Sequence, residues 1–225
     1  MIRHGQRADL HPEKEIVYDV PHDPPLTDEG FQQARETGEF LKEYIKRHQF
    51  DDIILETSPF LRTMQTAHEI AKILQLKHLT IDYLYREWLD GTFFRHNPLE
   101  DINIRLWSQD ELKTNVLSEI DDFTVLDIPD NINDLYPENK QQSKQRTQSV
   151  IDLMKTRYAK EQEKRVLHMI VSHGYHVECF STLNGGKQTY PEYCSISGFE
   201  LIKGSDDHQI QLLFDGDSSH VKTKH

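Results

Sequence analysis

Two histidines, each followed by glycine, lie near opposite ends of this sequence, and both could do chemistry. His4 stands in Arg3-His4-Gly5 and His173 in Ser172-His173-Gly174. Each follows an apolar run that predicts a β-strand, residues 1–2 and 166–171. Ligands of open α/β sheets bind at the carboxyl ends of the strands, so we expect both histidines and Arg3 to face one crevice. An arginine beside histidines favours a phosphate group, since the guanidinium donates to phosphate oxygens and an imidazole can act as a nucleophile or acid.

The elements that must position these residues alternate between strand and helix. Thr27 is a suitable N-cap for a helix over about 27–48, and Ser58-Pro59 is typical of an N-cap followed by proline in the first turn of a second helix. A third helix is expected from Gln141 to about Lys164. The other predicted strands are 52–55, 79–81, 195–203 and 209–214. This alternation predicts an α/β fold, a three-layer α/β/α sandwich with a mostly parallel central sheet.

We expect a single domain over 1–225 with three unusual segments. The proline-rich residues 6–26 read as a long loop over the crevice. Residues 92–140 read as an acidic insertion, with nine acidic residues and one basic residue between Ser108 and Asn139. A solvated face explains such a run better than a docking surface for a basic partner. We expect a disordered tail over 215–225.

The first predicted strand is unusually short, because only two residues precede Arg3. Two explanations remain open at this stage. Either the native chain has further residues ahead of Met1, or the sheet tolerates a short strand.

Charge and cysteine content limit the classes of function. Lys and Arg number 26 against 38 Asp and Glu, a net charge of −12 that disfavours nucleic acid and anionic membrane surfaces as partners. The cysteines, Cys179 and Cys194, form no paired motif, which favours a reducing, cytoplasmic location. We find no membrane-length apolar run and no signal peptide in the sequence. An anionic substrate would therefore depend on local arginines.

Four motifs in order along the chain resemble the histidine phosphatase superfamily, also called phosphoglycerate mutase-like. They are Arg3-His4-Gly5-Gln6-Arg7, the segment 58–67, Arg86-Glu87-Trp88 and Ser172-His173-Gly174. Arg7 and the Glu87-Trp88 pair are most similar to the phosphatase domain of the suppressors of T-cell receptor signalling. The approach to the first helix, 24–27, and Gly30 also suit that subgroup.

The resemblance implies a phosphomonoester hydrolase that works through a phosphohistidine, without metal or cofactor. His4 would be the nucleophile and Glu87 the proton donor. Arg3, Arg62 and His173 would stabilise the phosphoryl oxygens, and Arg7, Gly5 and Gly174 would help to bind the substrate. Glu87 can be an acid near neutral pH only if its pKa is raised, and we expect Trp88 to help by excluding water.

Three alternatives remain. A phosphoglycerate mutase would share the nucleophile, but such enzymes follow the first motif with a serine and a Trp-Asn pair, where this chain has Gln6-Arg7-Ala8. A noncatalytic interaction domain of the same fold would not need the reacting groups. Metal-dependent hydrolysis through His4 and His173 lacks a carboxylate or cysteine at suitable spacing in the sequence. The substrate is open among phosphotyrosine, a sugar phosphate and a small metabolite, and the oligomeric state is unknown.

Overall fold

A seven-stranded sheet forms the middle layer of the protein, which a computed structural model describes over residues 1–158, 164–202 and 208–223. Its strands are β1 (Ile2–Arg3), β2 (Asp52–Thr57), β3 (His78–Asp82), β4 (Asp122–Leu126), β5 (Val166–Ser172), β6 (Ile196–Ile202) and β7 (Gln209–Asp217). The strand order is β4-β3-β2-β5-β1-β6-β7. Neighbours from β4 to β1 pair in parallel, whereas β6 pairs antiparallel with both β1 and β7. The predicted mostly parallel sheet is confirmed.

Helices cover both faces of this sheet. The helices are α1 (Asp28–His48), α2 (Leu61–Leu74), α3 (Asn103–Leu106), α4 (Gln109–Asn115), α5 (Lys140–Tyr158) and α6 (Gly174–Leu183). Successive residues of β5 point to opposite faces, so Met169 and Val171 pack with α1 and α2, and Ile170 packs with α5 and α6. The predicted α/β/α sandwich is confirmed. Within the described ranges no helix combines the length and apolar character of a membrane span.

The first two helices begin differently. Thr27 caps α1 as predicted, because its hydroxyl accepts a hydrogen bond from the Gly30 amide at 3.0 Å. The predicted cap of α2 is wrong: its N-cap is Phe60, and the helix begins at Leu61. Ser58 still belongs to the turn that follows β2, and its hydroxyl is used by another residue, described below.

The acidic segment 92–140 contributes more to the fold than the sequence indicates. Within it, Asp122–Leu126 forms β4, which pairs with β3 at the edge of the sheet. This edge strand was not predicted, because acidic residues precede it and its side chains are exposed or only half buried. The segment also places Leu99 and Ile102 in a buried cluster with Phe60. At least part of the segment is therefore integral to the sheet and the core.

The carboxyl-terminal boundaries need one correction. Helix α5 is described as far as Tyr158, and the predicted continuation over 159–163 lies outside the described residues. The prediction of a disordered tail from 215 is wrong for 215–223, since β7 runs to Asp217 and Val221 is buried. The amides of Lys222 and Thr223 donate to the Glu36 carboxylate of α1 at 2.7 and 3.1 Å. This pairing anchors the segment against α1; 224–225 lie outside the described residues.

The short strand β1 sits between two longer strands. It pairs with β5 only at Val171 and Ser172, and with β6 at Ile196. Residues 166–170 of β5 and 196–201 of β6 line a cavity of about 540 Å³ together with Met1 and Phe214. This cavity lies at the end of the sheet opposite to His4, so it is separate from the site described next.

Candidate active site

His4 and His173 meet because they follow adjacent parallel strands. Arg3 of β1 is paired with Ser172 of β5, so the next residue of each strand leaves the sheet at the same level. The His4 amide donates to the Ser172 carbonyl at 3.0 Å, and the two imidazole centroids are 5.4 Å apart. Both histidines are buried. The structure thus brings together the two residues that the sequence predicts to share one crevice.

The His4 ring is held in the form that a nucleophile needs. Its Nδ1 lies 2.7 Å from the Gly5 carbonyl oxygen. A carbonyl only accepts hydrogen bonds, so we assign the hydrogen to Nδ1 and the lone pair to Nε2. Burial, followed by the positive charges of Arg62 and Arg3, holds the pKa of His4 well below its usual range. The ring is therefore neutral at physiological pH, with Nε2 available for attack on phosphorus.

Arg62, Glu87 and His173 converge on one point beside His4. Glu87 Oε2 lies 3.0 Å from Arg62 Nη2 and 3.2 Å from His173 Nδ1, and these two nitrogens are 3.1 Å apart. Arg62 is fully buried at the start of α2 and stacks over the Phe60 ring at 4.8 Å. Its Nε and Nη1 are buried and have no hydrogen-bond partner in the described part of the chain. The carboxylate thus occupies donors that also suit an oxyanion.

Glu87 corrects one prediction, because its pKa is lowered rather than raised. Burial acts to raise the pKa of Glu87, but the nearby His173 and Arg62 outweigh burial and hold it well below its usual range. Glu87 is ionised in the free protein. Trp88 contributes by position: its amide donates to Glu87 Oε1 at 3.0 Å, and its ring packs against Tyr175.

Ser58 is a residue of the site that the sequence did not reveal. Its hydroxyl lies 2.7 Å from His173 Nε2, deep in the protein. Burial, opposed by the Glu87 charge, lowers the pKa of His173 to about 4, so this ring is also neutral. We assign its hydrogen to Nδ1, facing the Glu87 carboxylate, so that Nε2 accepts from the Ser58 hydroxyl. Ser58 therefore fixes the His173 ring with its Nδ1–H directed into the site.

Arg3 is held between two aromatic rings that were also not predicted. Its guanidinium carbon lies 4.0 Å from the Tyr193 ring centroid and 4.7 Å from that of Tyr190. Nη1 donates to the Pro191 carbonyl at 2.7 Å, while the buried Nε has no partner among the described residues. The Tyr193 ring also faces His4 at 5.8 Å. Arg3 is thus fixed beside the nucleophile, and one donor is unsatisfied.

Arg7 lies in the site and forms an ion pair with an acid of the same loop. It makes a bidentate pair with Asp9, with both N–O distances at 2.6 Å. The guanidinium is buried, and its charge acts on His4, Glu87 and Arg62. The Asp9 pairing therefore orients Arg7 at the site.

Asp23 is a second residue that sequence reasoning missed. Its carboxylate accepts from the Leu61 amide at 2.6 Å and the Asn103 amide at 3.1 Å, and lies 3.9 Å from Arg62 Nη1. Burial raises the pKa of Asp23 to about 6, against the lowering effect of Arg62. Asp23 therefore ties the loop 6–26 to the helix that carries Arg62. An acid between His22 and Pro24 gives no sequence signal for this role.

Gly5 and Gly174, predicted to bind substrate, have packing roles in the structure. A Cβ on Gly5 would lie 2.5 Å from the Gly30 carbonyl oxygen, because α1 crosses the end of β1 at backbone contact. The Gly5 amide already donates to Thr66 Oγ1 at 3.1 Å. A Cβ on Gly174 would lie 2.4 Å from the Tyr190 ring. Both glycines let neighbouring elements approach closely around the histidines.

The site contains two histidines and a carboxylate, which are common metal ligands, but the side chains around them are positively charged. His4, Glu87 and His173 offer ligand atoms within 4.8 Å of one another. Glu87 is thus the carboxylate that sequence spacing did not reveal, which removes the earlier argument against a metal. A divalent cation would, however, share Glu87 Oε2 with the Arg62 guanidinium at 3.0 Å and face the charge of Arg7. Repulsion by these arginines favours an anion here.

Comparison with known proteins identifies one family. The model of the histidine phosphatase superfamily (branch 1) matches residues 1–201. An uncharacterized phosphoglycerate mutase family protein from Acanthamoeba polyphaga mimivirus is 34% identical over 99 residues, 43% of this chain and 46% of that protein. The match therefore spans about half the length of this curated relative.

Several solved structures share the fold. A phosphoglycerate mutase from Bacillus anthracis str. Sterne has a TM-score of 0.60 at 21% identity, covering 99% of this chain and 93% of the other. The ecdysone phosphate phosphatase of Bombix mori, in complex with tungstate, has a TM-score of 0.59 at 15% identity, covering 96% and 91%. A phosphoserine phosphatase from Entamoeba histolytica, in complex with 3-phosphoglyceric acid, has a TM-score of 0.55 at 21% identity, covering 98% and 96%. At these identities the similarity concerns the fold alone.

Proposed function

The chain belongs to the histidine phosphatase superfamily, and from this premise we propose that it hydrolyses phosphomonoesters through a phosphohistidine on His4. The observation that carries the proposal is a neutral, buried imidazole beside unsatisfied guanidinium donors. Those donors are Arg3 Nε and Arg62 Nε and Nη1, for which the described part of the chain provides no hydrogen-bond partner. Each buried donor without a partner costs about 1–3 kcal/mol, and a phosphoryl group offers several acceptor oxygens at once. A domain that binds no phosphoryl group gains nothing from that cost.

The reaction would proceed in two displacements. His4 Nε2 attacks phosphorus as the bond to the leaving oxygen breaks, and the protonated Glu87 gives its hydrogen to that oxygen. The Gly5 carbonyl, bonded to Nδ1–H, stabilises the positive charge that develops on the ring. Water then attacks phosphorus, Glu87 takes its proton, and the bond to Nε2 breaks, returning the electron pair to His4. Arg62 and His173 stabilise the negative charge on the phosphoryl oxygens in both steps.

Glu87 becomes an acid only when a phosphoryl group is bound, under this mechanism. In the free protein its carboxylate holds the donors of Arg62 and His173. A phosphoryl group would take over those donors and bring negative charge within a few ångströms. Both changes raise the pKa of Glu87 and favour uptake of a proton. The substrate would thus create the acid that expels its own leaving group.

This coupling predicts that binding of tungstate, a stable oxyanion dianion, takes up about one proton at pH 7. Isothermal titration calorimetry in two buffers of different ionisation enthalpy measures the number. We expect Glu87→Gln to bind tungstate without that uptake. Uptake that is unchanged in Glu87→Gln would show that another group, such as His173, receives the proton.

The leaving group that we propose is an aryl oxygen, because exposed aromatic rings flank the arginines. Phe93 is 58% exposed and its ring centroid lies 5.9 Å from the Arg7 guanidinium carbon. Tyr190 is 63% exposed and lies over Arg3. Large exposed apolar groups beside a charged site are suited to a ligand that joins an apolar body to an anion. A phosphotyrosine-type ester or an aryl phosphate metabolite fits this description.

The finer assignments belong to the same proposal. The position of Arg7 in the site supports membership of the subgroup that contains the suppressors of T-cell receptor signalling, the subgroup that the sequence resembles most. The two cysteines are buried and unpaired, which supports a cytoplasmic location.

A panel of phosphate esters tests the proposed function. We expect hydrolysis of p-nitrophenyl phosphate, phenyl phosphate and phosphotyrosine, slower hydrolysis of sugar phosphates, and no loss of rate in excess chelator, since arginines supply the positive charge. Absence of hydrolysis across the panel would reject the function. Loss of activity in chelator that a divalent ion restores would support the metal alternative, and phosphoryl transfer from bisphosphoglycerate to monophosphoglycerate would support a mutase.

A further inference from the structure

A buried ion cluster surrounds the short segment that carries Glu87. Glu138, at the end of the acidic segment, receives hydrogen bonds from Arg86 Nη2 at 3.2 Å and from Arg146 Nε and Nη2 at 2.8 and 2.9 Å. All three side chains are buried. Two positive charges and one carboxylate are costly to remove from water, and the mechanism above uses none of them.

The contacts of Glu138 reach both sides of Glu87. On the preceding side it holds the Arg86 guanidinium. On the following side the Glu138 carbonyl accepts from the Trp88 indole at 2.8 Å. The Glu138 amide donates to the Leu89 carbonyl at 2.8 Å, and the Glu138 carboxylate accepts from the Leu89 amide at 3.4 Å. The sequence neighbours of Glu87, Arg86 and Trp88, are therefore both hydrogen-bonded to Glu138, about fifty positions away along the chain.

Arg146 of α5 holds the backbone of the same segment. Its Nη1 donates to the carbonyls of Leu84 at 2.9 Å and Arg86 at 3.1 Å, and its Nη2 lies 3.5 Å from the Glu87 carbonyl. The segment has no regular secondary structure after Tyr85, so no helix or strand ladder fixes it. The guanidinium supplies the missing hydrogen bonds.

We propose that Glu138, held by Arg86 and Arg146, is a positioning residue that orients Glu87 for proton transfer. This inference rests on the proposed phosphatase function. It assigns a role to one acid of the segment 92–140, whose charges otherwise read as a solvated face. A proton donor must stand within hydrogen-bond reach of the leaving oxygen, so a small displacement of Glu87 lowers the rate without removing the acid.

The test compares two esters that differ in their need for an acid. Phenyl phosphate has a poor leaving group and p-nitrophenyl phosphate a good one. We expect Glu138→Gln to lower kcat/KM for phenyl phosphate by about tenfold or more and kcat/KM for p-nitrophenyl phosphate much less, since kcat/KM reports the displacement of the leaving group. If Glu138→Gln folds poorly, Arg146→Lys replaces it in the test. Lysine keeps the positive charge but loses the paired guanidinium donors that hold Glu138, so the same difference between the two esters is expected.

A double variant separates positioning from general destabilisation. In the Glu87→Gln background, Glu138→Gln should cause no further loss in kcat/KM, because the group it positions is gone. Glu56→Gln is the matched control, since Glu56 is also a buried carboxylate paired with an arginine, Arg157, at 2.7 Å. We expect that change to lower Tm without altering the ratio of the two rates.

The outcomes distinguish the inference from the function. If the native protein hydrolyses neither ester, the proposed function fails and the positioning role falls with it. If the native protein hydrolyses both but Glu138→Gln slows them equally, or adds its loss to that of Glu87→Gln, only the positioning role is overturned.

Discussion

His4→Ala is expected to lower kcat for p-nitrophenyl phosphate by about 10⁴-fold or more, because the covalent route disappears with its nucleophile. The effect should appear in kcat, since Arg3, Arg62 and His173 continue to hold the phosphoryl group. Steady-state kinetics measures kcat and KM, and circular dichroism verifies that the variant is folded. The alanine leaves Arg3 and the backbone bonds of β1 unchanged, so a folded but inactive protein is the expected product.

His68→Ala is the matched control for that substitution. His68 lies on α2, is buried like His4, and its Nδ1 is 3.9 Å from Glu69. Its removal deletes a buried imidazole of the same size outside the site, and kcat should stay near that of the native protein. If His4→Ala retains a tenth or more of the native kcat, His4 is not the nucleophile.

Glu87→Gln is expected to slow phenyl phosphate hydrolysis by about a hundredfold or more, and p-nitrophenyl phosphate hydrolysis by a factor at least about tenfold smaller. Phenolate needs a proton as it departs, whereas nitrophenolate is stable enough to leave with little help. The substitution also removes a negative charge beside Arg62 and His173, which changes phosphoryl binding. That change affects both esters alike, so the ratio of the two rates isolates proton transfer.

The measured quantity is kcat/KM for each ester over pH 5–9 in both proteins, because kcat/KM reports the first displacement and not the later water attack that both esters share. Equal slowing of the two esters by Glu87→Gln would contradict the acid role. It would leave Glu87 as a group that orients the phosphoryl donors, and would transfer the acid role to His173 or to a carboxylate of the loop 6–26 such as Asp9.

The sequence predicted the parts of the fold that follow from local pattern. The apolar run 166–171 and the capped helix after Thr27 carry their own periodicity and capping signals, and both form where expected. Parallel pairing of β1 and β5 then brings His4 and His173 together by sheet geometry alone. Strand β4 was missed because the run Asp122–Leu126 is flanked by acids and half exposed, which resembles a solvated loop.

The site could be predicted only where a motif marked it. His4, Arg62, Glu87 and His173 lie in four separate motifs, and the fold brings them together. Ser58 and Asp23 were not recognised, because each acts through a contact with a residue far along the chain: Ser58 with His173, 115 positions away, and Asp23 with Asn103, 80 positions away. Such contacts carry no spacing signal.

The pKa of Glu87 was predicted in the wrong direction for a related physical reason. Its sequence neighbour Trp88 suggests an apolar setting, in which burial would raise the pKa. The groups that decide the outcome are the His173 ring, which follows β5, and the Arg62 guanidinium of α2, and their approach to Glu87 is visible only in three dimensions. The sequence indicated the residue and its chemistry but not the charges around it.

The central claim is a covalent phosphoryl group on His4, and direct detection of that group tests it. Turnover of phosphate-labelled p-nitrophenyl phosphate, whose leaving group needs little help from an acid, is quenched in base within the first cycle, and the label is located by peptide mass spectrometry. We predict a base-stable, acid-labile label on His4 that is absent from His4→Ala and accumulates when water attack is slowed by Glu87→Gln. Product formed in a first turnover without any label on His4, or with the label on another residue, would contradict the account.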